Sequence, residues 1–334
     1  MATIYQVSEA AGVSLATVSR VMNGNAKVSE RTRKKVEEAM AKLGYQPNAI
    51  AQSLASNRTN SVGLLVSELH GSYFGDLMST VEQVLKQNGK HVFITAGHVD
   101  ESREKEAIEF LQSRRCDALI LHAEAVSDDY LKKLVSGKTP VVIINRKVDN
   151  IDENCFFVDN ETGGYIATQA AIKQGHKHIG YISGPLFKKD ASDRLKGHKK
   201  ALEEAGIEFD NKSLFEGDYH ESSGHEGMQH MRSQFSKMTA LVCANDEMAS
   251  GAMTAARESG IDIPSQLSIV GFDNVLFSRY LYPKLTTVDN PIQAMGEMAS
   301  YWVLDNVYDI KPKKPIEHLF VPQIIERDTL SSIE

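Results

Sequence analysis

Short apolar runs alternate with amphipathic stretches between residues 61 and 289. The apolar runs are SVGLLVS (61–67), KHVFITA (90–96), DALILHA (117–123), PVVIINR (140–146), CFFVD (155–159), HIGYIS (178–183), TALVCA (239–244), SIVGFD (268–273) and LTTVD (285–289). Between them, apolar residues recur at helical spacing, so that Leu77, Val81, Val84 and Leu85 share one face of GDLMSTVEQVLKQNG. This alternation of strands and helices predicts parallel sheets covered on both faces.

The number of strands indicates two lobes, because nine runs exceed one comfortable open sheet. We predict two doubly wound lobes that divide near residue 160. Lobe 1 is expected to cover about 60–159 and 290–320, and lobe 2 about 160–289 and 321–334. In such sheets, ligands bind at the carboxyl ends of the strands.

The first 60 residues have a different pattern, with three short helical stretches and no strand over residues 4–44. The segment that follows, YQPNAIAQSLASNRTNS, is polar, contains Pro47 and is typical of a linker. We therefore predict an all-α head at 1–45, a hinge at 46–59 and an α/β core at 60–334.

The head has the pattern of a helix-turn-helix, IYQVSEAA then GVS then LATVSRVMN. Gly12 permits the bend, and Ser14 is placed to cap the second helix. A third helix, SERTRKKVEEAMAKLGY, begins with a cap at Ser29. The predicted interior comprises Ile4, Val7, Ala11, Val18, Val21, Val36, Met40 and Leu43. These elements favour a small DNA-binding module.

Charge divides the chain in the same way. Residues 1–58 carry eight basic and four acidic side chains, and the remainder carries 29 basic and 40 acidic ones. A basic head on an acidic body suits a protein whose head meets phosphates. Hydrophobic residues at 42% and charged residues at 24% indicate a folded globular chain.

Other classes of protein fit the sequence poorly. Cys116, Cys155 and Cys243 are far apart, without CxxC pairing, and are expected to be buried free thiols. The N-terminus ATIYQVSEAAG has no basic and apolar leader, and no run of about 18 apolar residues occurs. We expect a cytoplasmic protein that does not contact the membrane. A secreted sugar-binding protein would leave the first 58 residues unexplained.

An enzyme is also disfavoured. The segment after the first strand, ELHGSYFGD, contains neither GxGxxG nor GxxxxGK[ST], and no GxSxG is found. His220, His225 and His230 resemble HExxH motifs, but their spacing of five separates them by roughly 140° around a helix. We expect no catalytic residues, no cofactor and no metal.

The segments ATIYQVSEAAGVSLATVSRVMNGN and VSERTRKKVEEAMAKLGYQPNAIAQSLAS resemble the DNA-binding head of the lactose/galactose repressor (LacI/GalR) family. The resemblance includes the family's hinge motif at Tyr45, Pro47, Asn48, Ala51 and Leu54. With the order of head, hinge and core, it extends over almost the whole chain. It implies a transcriptional repressor that binds a pseudo-palindromic operator as a homodimer, one head on each half-site.

The resemblance also implies the DNA contacts. The second helix would lie in the major groove, where Arg20 can pair with guanine while Leu15 and Ala16 make apolar contacts. Leu54 would wedge between base steps of the minor groove. In the alternative interpretations, Arg20 is a solvated helix residue and Leu54 packs on the core. The implied DNA-binding residues are Leu15, Ala16, Thr17, Ser19, Arg20, Asn23, Asn48, Ala51, Leu54 and Ala55.

The core resembles the family's effector-binding body, which shares its fold with periplasmic sugar-binding proteins. Its implied effector residues are Ser67, Tyr73, Phe74, Asn145, Asp190, Arg194, Tyr219, Asn245 and Asp273. Arg194 and Asp273 carry charged groups that can each contact two sugar hydroxyls. Phe74 and Tyr219 fit packing between the lobes equally well, and Asp246 fits a helix cap.

The effector itself is indicated by three stretches: RRCDALILHA, KKDASDRLKG and SRYLYPKLTTVDNPI are most similar to the galactose-operon repressors. This similarity implies D-galactose as an inducer. A corepressor-dependent regulator responding to another sugar or a purine is the alternative, because the same fold supports either sign of coupling. The final residues, TLSSIE, contain no leucine heptads, so we expect a dimer.

Overall fold

The computed structural model describes residues 2–22, 28–45 and 58–333. The chain divides into two compact units, Met1–Asn60 and Ser61–Glu334. The first is helical and the second is a two-lobed α/β core, as the alternation of sequence patterns predicts.

Over its described residues, the first unit contains three helices: α1 (Ile4–Ala11), α2 (Leu15–Met22) and α3 (Glu30–Leu43). Gly12, at φ 64°, ends α1, and the Ser14 hydroxyl accepts a hydrogen bond from the backbone N–H of Thr17 at 3.2 Å. The predicted cap at Ser29 is also present, on the backbone N–H of Thr32. The buried interior comprises Val7, Ala11, Val18, Val21, Val36 and Ala39, with Ile4, Met40 and Leu43 partly buried around it.

The core contains two six-stranded sheets. The lobe 1 sheet consists of β1 (Ser61–Val66), β2 (His91–Ala96), β3 (Ala118–Leu121), β4 (Val141–Ile144), β5 (Cys155–Val158) and β11 (Leu319–Phe320), in the order β11-β5-β4-β3-β1-β2. The lobe 2 sheet consists of β6 (Ile179–Ser183), β7 (Leu214–Glu216), β8 (Ala240–Cys243), β9 (Ser268–Asp273), β10 (Thr286–Asp289) and β12 (Gln323–Ile325), in the order β12-β10-β9-β8-β6-β7. All neighbouring strands are parallel except β10 and β12.

Helices connect most of these strands. They are α4 (Ser72–Gln87), α5 (Glu101–Ser113), α6 (Asp128–Val135), α7 (Asn160–Lys173), α8 (Lys189–Glu204), α9 (Glu221–Gln234), α10 (Asp246–Glu258) and α11 (Ile292–Tyr308), with 3₁₀ segments at Asp152–Asn154, Asn211–Ser213 and Leu276–Arg279. Helix α11 follows a lobe 2 strand but packs on α4 of lobe 1. The chain therefore passes between the lobes after β5, after β10 and again between β11 and β12.

Three strands are absent from the sequence prediction: β7, β11 and β12. Each has only two or three residues, too few for a periodic pattern, and is defined by pairing at or near the edge of a sheet. The antiparallel pairing of β12 also departs from the purely parallel sheets we predicted. An antiparallel edge strand on a parallel sheet is common in folds of this class.

The three predicted free cysteines are buried, in an interior that also holds charged side chains such as Glu104 and Asp246. In the part of the chain that the structure describes, no helix has both the length and the apolar character needed to cross a membrane.

Candidate functional site

A cavity of about 290 Å³ lies between the two lobes, at the carboxyl ends of their strands. Both lobes contribute its walls. All nine side chains that the sequence predicts as effector contacts line it: Ser67, Tyr73, Phe74, Asn145, Asp190, Arg194, Tyr219, Asn245 and Asp273. The fold thus brings together residues that are up to 206 positions apart in the chain.

Arg194 is held on the lobe 2 wall by bonds to its own lobe. Its Nε donates to Asn160 Oδ1 at 2.8 Å, and its Nη1 donates to the Ala244 carbonyl at 2.5 Å. The guanidinium carbon lies 3.7 Å from the centre of the Phe272 ring, and Nη1 lies 3.7 Å from Asp273 Oδ1. These contacts fix the guanidinium before any ligand binds.

Close packing of α7 on α8 sets the position of this arginine. Gly164 approaches the Arg194 carbonyl so closely that a Cβ there would lie 1.9 Å from the oxygen, and Gly197 approaches the Glu161 carbonyl to the same degree. Only glycine fits either position without moving the helices apart. Any larger residue would displace α8 and, with it, Arg194.

Asp190, Lys188 and Tyr219 form the next part of the lobe 2 wall. The Tyr219 hydroxyl donates to Asp190 Oδ2 at 2.9 Å, and Lys188 Nζ lies 4.8 Å from the centre of the Tyr219 ring. Burial opposes ionisation of Asp190, but Lys188 and Arg194 outweigh it and hold the pKa of this carboxyl below its usual value. The Tyr219 ring also packs against Gly184, where a Cβ would lie 2.2 Å from it.

Asn245 is the cap of α10. Its Oδ1 accepts from the backbone N–H of Met248 at 2.9 Å, and its Nδ2 donates to the Tyr219 carbonyl at 2.8 Å. The cap interpretation of Asp246 is wrong, because the cap precedes the first helical residue. Asp246 is instead fully buried, accepting bonds from the backbone N–H of Val275 and the Thr287 hydroxyl.

Asp273 lies at the end of β9, where the two lobes meet. Its Oδ1 accepts from Asn290 Nδ2 at 2.9 Å, and the same amide donates to the Tyr73 hydroxyl of lobe 1 at 3.3 Å. Burial raises the pKa of the Asp273 carboxyl to about 6, although Arg194 opposes the shift. The carboxyl is therefore mainly ionised at pH 7 and accepts hydrogen bonds.

The lobe 1 wall is built from strand ends and the start of α4. Ser67 Oγ lies 3.1 Å from His122 Nδ1, and the His122 ring meets Phe74 edge to face at 5.2 Å. Tyr73 and Phe74 are also perpendicular, at 5.3 Å. Within residues 58–333, neither Asn145 Oδ1 nor His122 Nε2 has a hydrogen-bond partner. This wall thus contains buried polar atoms that the fold leaves without a hydrogen bond.

Several residues that line the cavity are missing from the sequence prediction. They include Glu68, His70, His98, Val99, His122, Phe187, Lys188, Asp218, His220 and Glu247. His122 could have been found, because it lies at the end of the predicted run DALILHA and directly follows β3, as Asn145 directly follows β4. Lys188 precedes α8 in a polar stretch and gives no such signal.

Five residues other than glycine that line the cavity adopt left-handed backbone conformations. Their φ angles are 53° for His98, 54° for Val99, 62° for Asn145, 74° for Tyr219 and 105° for Asp273. Such conformations are rare for residues other than glycine, and for a β-branched residue they are strained. The cavity is therefore built on backbone that the surrounding fold has to hold in place.

The second candidate site is on α2 of the head. Ala16 and Arg20 are exposed, whereas Leu15, Thr17 and Ser19 are half-buried, and Val18 and Val21 face the interior. Thr17 Oγ1 lies 2.9 Å from Ser14 Oγ at the start of this helix. The other predicted DNA contacts, Asn23, Asn48, Ala51, Leu54 and Ala55, lie outside the described residues.

The described residues contain no cluster of three histidine, cysteine or acidic side chains arranged to hold a metal ion. His225, from the HExxH-like stretch, instead contacts Glu258 of α10, with 2.8 Å between Nε2 and Oε2.

Known proteins resemble this chain over both units. Residues 3–48 match the family described as bacterial regulatory proteins, lacI family, and residues 59–324 match periplasmic binding proteins and sugar binding domain of LacI family. The HTH-type transcriptional regulator GalR of Escherichia coli K12 is 40% identical over 332 residues, covering 99% of this chain and 96% of that protein. The HTH-type transcriptional repressor PurR of Proteus mirabilis is 35% identical over 334 residues, covering 99% of this chain and 97% of that protein.

Among solved structures, the lac repressor dimer bound to operator and the anti-inducer ONPF aligns with a TM-score of 0.85 and 29% identity, over 99% of both chains. These relatives are transcriptional regulators and not enzymes. The chain therefore belongs to the LacI family of bacterial regulatory proteins, as a DNA-binding transcriptional repressor with a sugar-binding core.

Proposed function

We propose that this repressor binds its operator as a homodimer and is released from it by D-galactose. The observation that carries the proposal is the chemistry of the cavity. A guanidinium, ionised carboxylates and the Asn145 carboxamide converge there beside the Tyr219 ring. Such groups suit the hydroxyls and the C–H face of a neutral sugar. The similarity to GalR over nearly the whole chain favours galactose among the sugars.

The net charge of the cavity also supports a neutral ligand. Glu68, Asp190, Asp218, Glu247 and Asp273 line it against only two permanently basic side chains, Lys188 and Arg194, in the described residues. An anionic ligand would meet this excess of carboxylates. This excess of negative charge disfavours sugar phosphates and sugar acids as ligands.

A purine corepressor is the second candidate, because PurR of Proteus mirabilis is also similar over nearly the whole chain. A purine would tighten operator binding, whereas galactose would weaken it. If a ligand changes the affinity for operator by some factor, linkage requires that its own affinity for the operator complex differ from that for the free repressor by the same factor.

On the DNA side, we propose that α2 reads the major groove. Arg20 would pair with guanine, Leu15 and Ala16 would make apolar contacts, and Thr17 and Ser19 would contact phosphates. Asn23, Asn48, Ala51, Leu54 and Ala55 remain predicted contacts, with Leu54 as the minor-groove wedge.

An operator selected from a random DNA pool allows the test. Gel shifts with the full-length protein are titrated with D-galactose, other hexoses, hypoxanthine and guanine. We expect galactose alone to release the operator. Release by another sugar would identify that sugar as the effector in place of galactose. Tighter operator binding with a purine would reverse the sign of the coupling, and no response to any ligand would reject the proposal. Arg20→Ala is the control: it should weaken operator binding by about 1–3 kcal/mol and leave galactose binding unchanged.

A further inference from the structure

Behind the lobe 1 wall, a buried imidazole faces a buried carboxyl. His122 Nε2 lies 3.6 Å from Glu124 Oε1, and both side chains are almost completely buried. Within residues 58–333, neither of these two atoms has a hydrogen-bond partner. Buried polar atoms are usually satisfied, so a pair left open and facing each other calls for a functional explanation.

The loop that carries Glu124 is fixed from two sides. The Glu104 carboxylate on α5 accepts bonds from the backbone N–H groups of Glu124, Ala125 and Val126, at 2.9–3.1 Å. Arg146, just after β4, donates to the carbonyl of Val126 at 2.9 Å. Because Glu104 and Arg146 both bind the backbone of this loop, the loop holds Glu124 in place beside the imidazole.

The imidazole connects this carboxyl to the cavity. His122 Nδ1 lies 3.1 Å from the hydroxyl oxygen of Ser67, which lines the cavity. Neutral imidazole carries one proton, so whichever nitrogen does not donate must accept. Glu124, His122 and Ser67 thus form a series of groups in contact. The protonation state of Glu124, at one end, sets the donor and the acceptor of each hydrogen bond along the series.

The surroundings allow the carboxyl to change its protonation state while the imidazole stays neutral. Burial raises the pKa of Glu124 to about 7, and burial lowers the pKa of His122 to about 4. Glu124 is faced by Lys188 and Asp190 at the start of α8, by Arg146 and by Glu104. The same Lys188 and Asp190 face His122.

We propose that Glu124 and His122 form a proton relay that sets whether Ser67 accepts or donates a hydrogen bond toward a sugar hydroxyl in the cavity. Ionised Glu124 accepts from Nε2–H, so Nδ1 accepts from the Ser67 hydroxyl, whose oxygen is left to accept from the ligand. After uptake of one solvent proton, Glu124 donates to Nε2, Nδ1–H donates to Ser67 Oγ, and the Ser67 hydroxyl donates to the ligand. Glu124 is thus a positioning residue that acts through His122. The ligand part of this inference rests on the proposed function.

The relay can be tested first without any ligand. In full-length protein labelled with ¹⁵N-histidine, the His122 signals are assigned with His122→Gln and followed from pH 6 to pH 8. We expect a neutral ring throughout, protonated on Nε2 at pH 8 and on Nδ1 at pH 6, and a fixed tautomer in Glu124→Gln. A constant tautomer in the unsubstituted protein, or an imidazolium at pH 6, would overturn the relay whatever the effector proves to be.

The second test uses monodeoxyfluoro-galactoses to determine whether the Ser67 hydroxyl donates to the ligand or accepts from it. Fluorine accepts hydrogen bonds weakly and donates none. The readout is the Kd of each analogue divided by the Kd of galactose. This ratio cancels the titration of Asp273 at every ring position whose hydroxyl Asp273 does not bind. At one ring position the ratio should be about three- to tenfold larger at pH 8 than at pH 6, as expected for one hydrogen bond. Glu124→Gln should remove the pH dependence, and Ser67→Ala should remove the discrimination at that position.

Glu247→Gln is the matched control, since Glu247 is another partly buried acid of the cavity with a raised pKa, here too because of burial. It should leave the ratio pH-dependent. Ratios that do not change with pH at any ring position would overturn the role of Ser67. If the tautomer switches but no galactose analogue binds, the relay stands and the assignment of galactose fails.

Discussion

The two walls of the cavity differ in how completely their polar atoms are bonded. On the lobe 2 wall, Arg194, Tyr219 and Asn245 each donate a direct hydrogen bond of 2.5–2.9 Å to another lobe 2 residue. On the lobe 1 side, Asn145 Oδ1, His122 Nε2 and Glu124 Oε1 have no partner among the residues that the structure describes. The lobe 2 wall is thus organised before the ligand arrives, whereas the lobe 1 side keeps buried polar groups that the fold leaves without hydrogen bonds. Damage to lobe 2 should therefore affect folding and binding together.

The largest effect is expected from Arg194→Met, which keeps an unbranched apolar stem and removes the charge and the donors. Asp273 would lose its buried cation and Asp190 one of its two, and Asn160 and the Ala244 carbonyl would lose their donors. We expect a loss of about 3–5 kcal/mol in the free energy of unfolding and no detectable galactose binding. Urea unfolding and calorimetry measure the two quantities.

Arg232→Met, on an exposed site of α9, is the control and should change stability by no more than about 0.5 kcal/mol. A stable Arg194→Met protein would contradict the view that lobe 2 depends on this guanidinium.

Asp273→Asn should come next, because it separates binding from folding on the same wall. Asparagine keeps the shape and an acceptor for the Asn290 amide, but removes the charge that strengthens bonds to ligand hydroxyls. We expect galactose affinity to fall by about 1.5–3 kcal/mol with operator binding intact, so that the variant is not released. Calorimetry and gel shifts provide the readouts.

Asp218→Asn, at the exposed rim of the cavity, is the matched acid and should bind galactose within about twofold of the unsubstituted protein. Equal losses in the two variants would mean that any carboxylate near the cavity matters, not the one fixed beside Arg194.

A pH titration gives a smaller effect at the same carboxyl. Because burial raises the pKa of Asp273 to about 6, its carboxylate is present above pH 6 and is lost as pH falls through that value. A ligand that needs the carboxylate should bind about tenfold more weakly at pH 5 than at pH 7. In Asp273→Asn, this part of the dependence should disappear. If both proteins respond identically, Asp273 is not the group that titrates.

The smallest effect is expected on the lobe 1 wall, from Asn145→Gly. Glycine accepts the φ of 62° without strain, and the substitution removes a buried carbonyl oxygen that has no partner in the described residues. We expect a gain of about 0.5–1 kcal/mol in the free energy of unfolding, together with a three- to tenfold loss of galactose affinity.

Asn150→Gly has a similar φ of 70° in an exposed loop and serves as the control for the backbone. It should not alter galactose binding. A large loss of stability in Asn145→Gly would contradict the description of lobe 1 as the less constrained wall.

Periodicity predicted much of the fold. Each of the nine apolar runs contains a strand of four to six residues. Burial in a parallel sheet favours such runs, although β2, at the edge of the lobe 1 sheet, is exposed or half-buried along its length. Strands β7, β11 and β12 were not predicted, because strands of two or three residues leave no periodic pattern in the sequence. Their pairing depends on where the chain crosses between the lobes, which is a property of the assembled fold.

The cavity was predictable to the extent that its residues end strands or match family positions. Asn145 and Asp273 follow this rule, and His122 would have followed it too. Lys188 and Glu124 could not have been found in this way. Their role depends on which charges meet across the cleft after folding, and no local spacing encodes that.

The left-handed backbone at His98, Val99, Asn145, Tyr219 and Asp273 has a consequence for the evolution of new effector specificities. At these five positions, a random change mostly introduces a residue that the local conformation disfavours, so the fold itself filters the variants that survive. Tyr73 and Phe74 line the same cavity from the first turn of α4, where helical backbone accepts almost any side chain. Repressors that evolve a new effector specificity should therefore acquire substitutions on that helix turn first. The same is expected of variant libraries selected for a new effector.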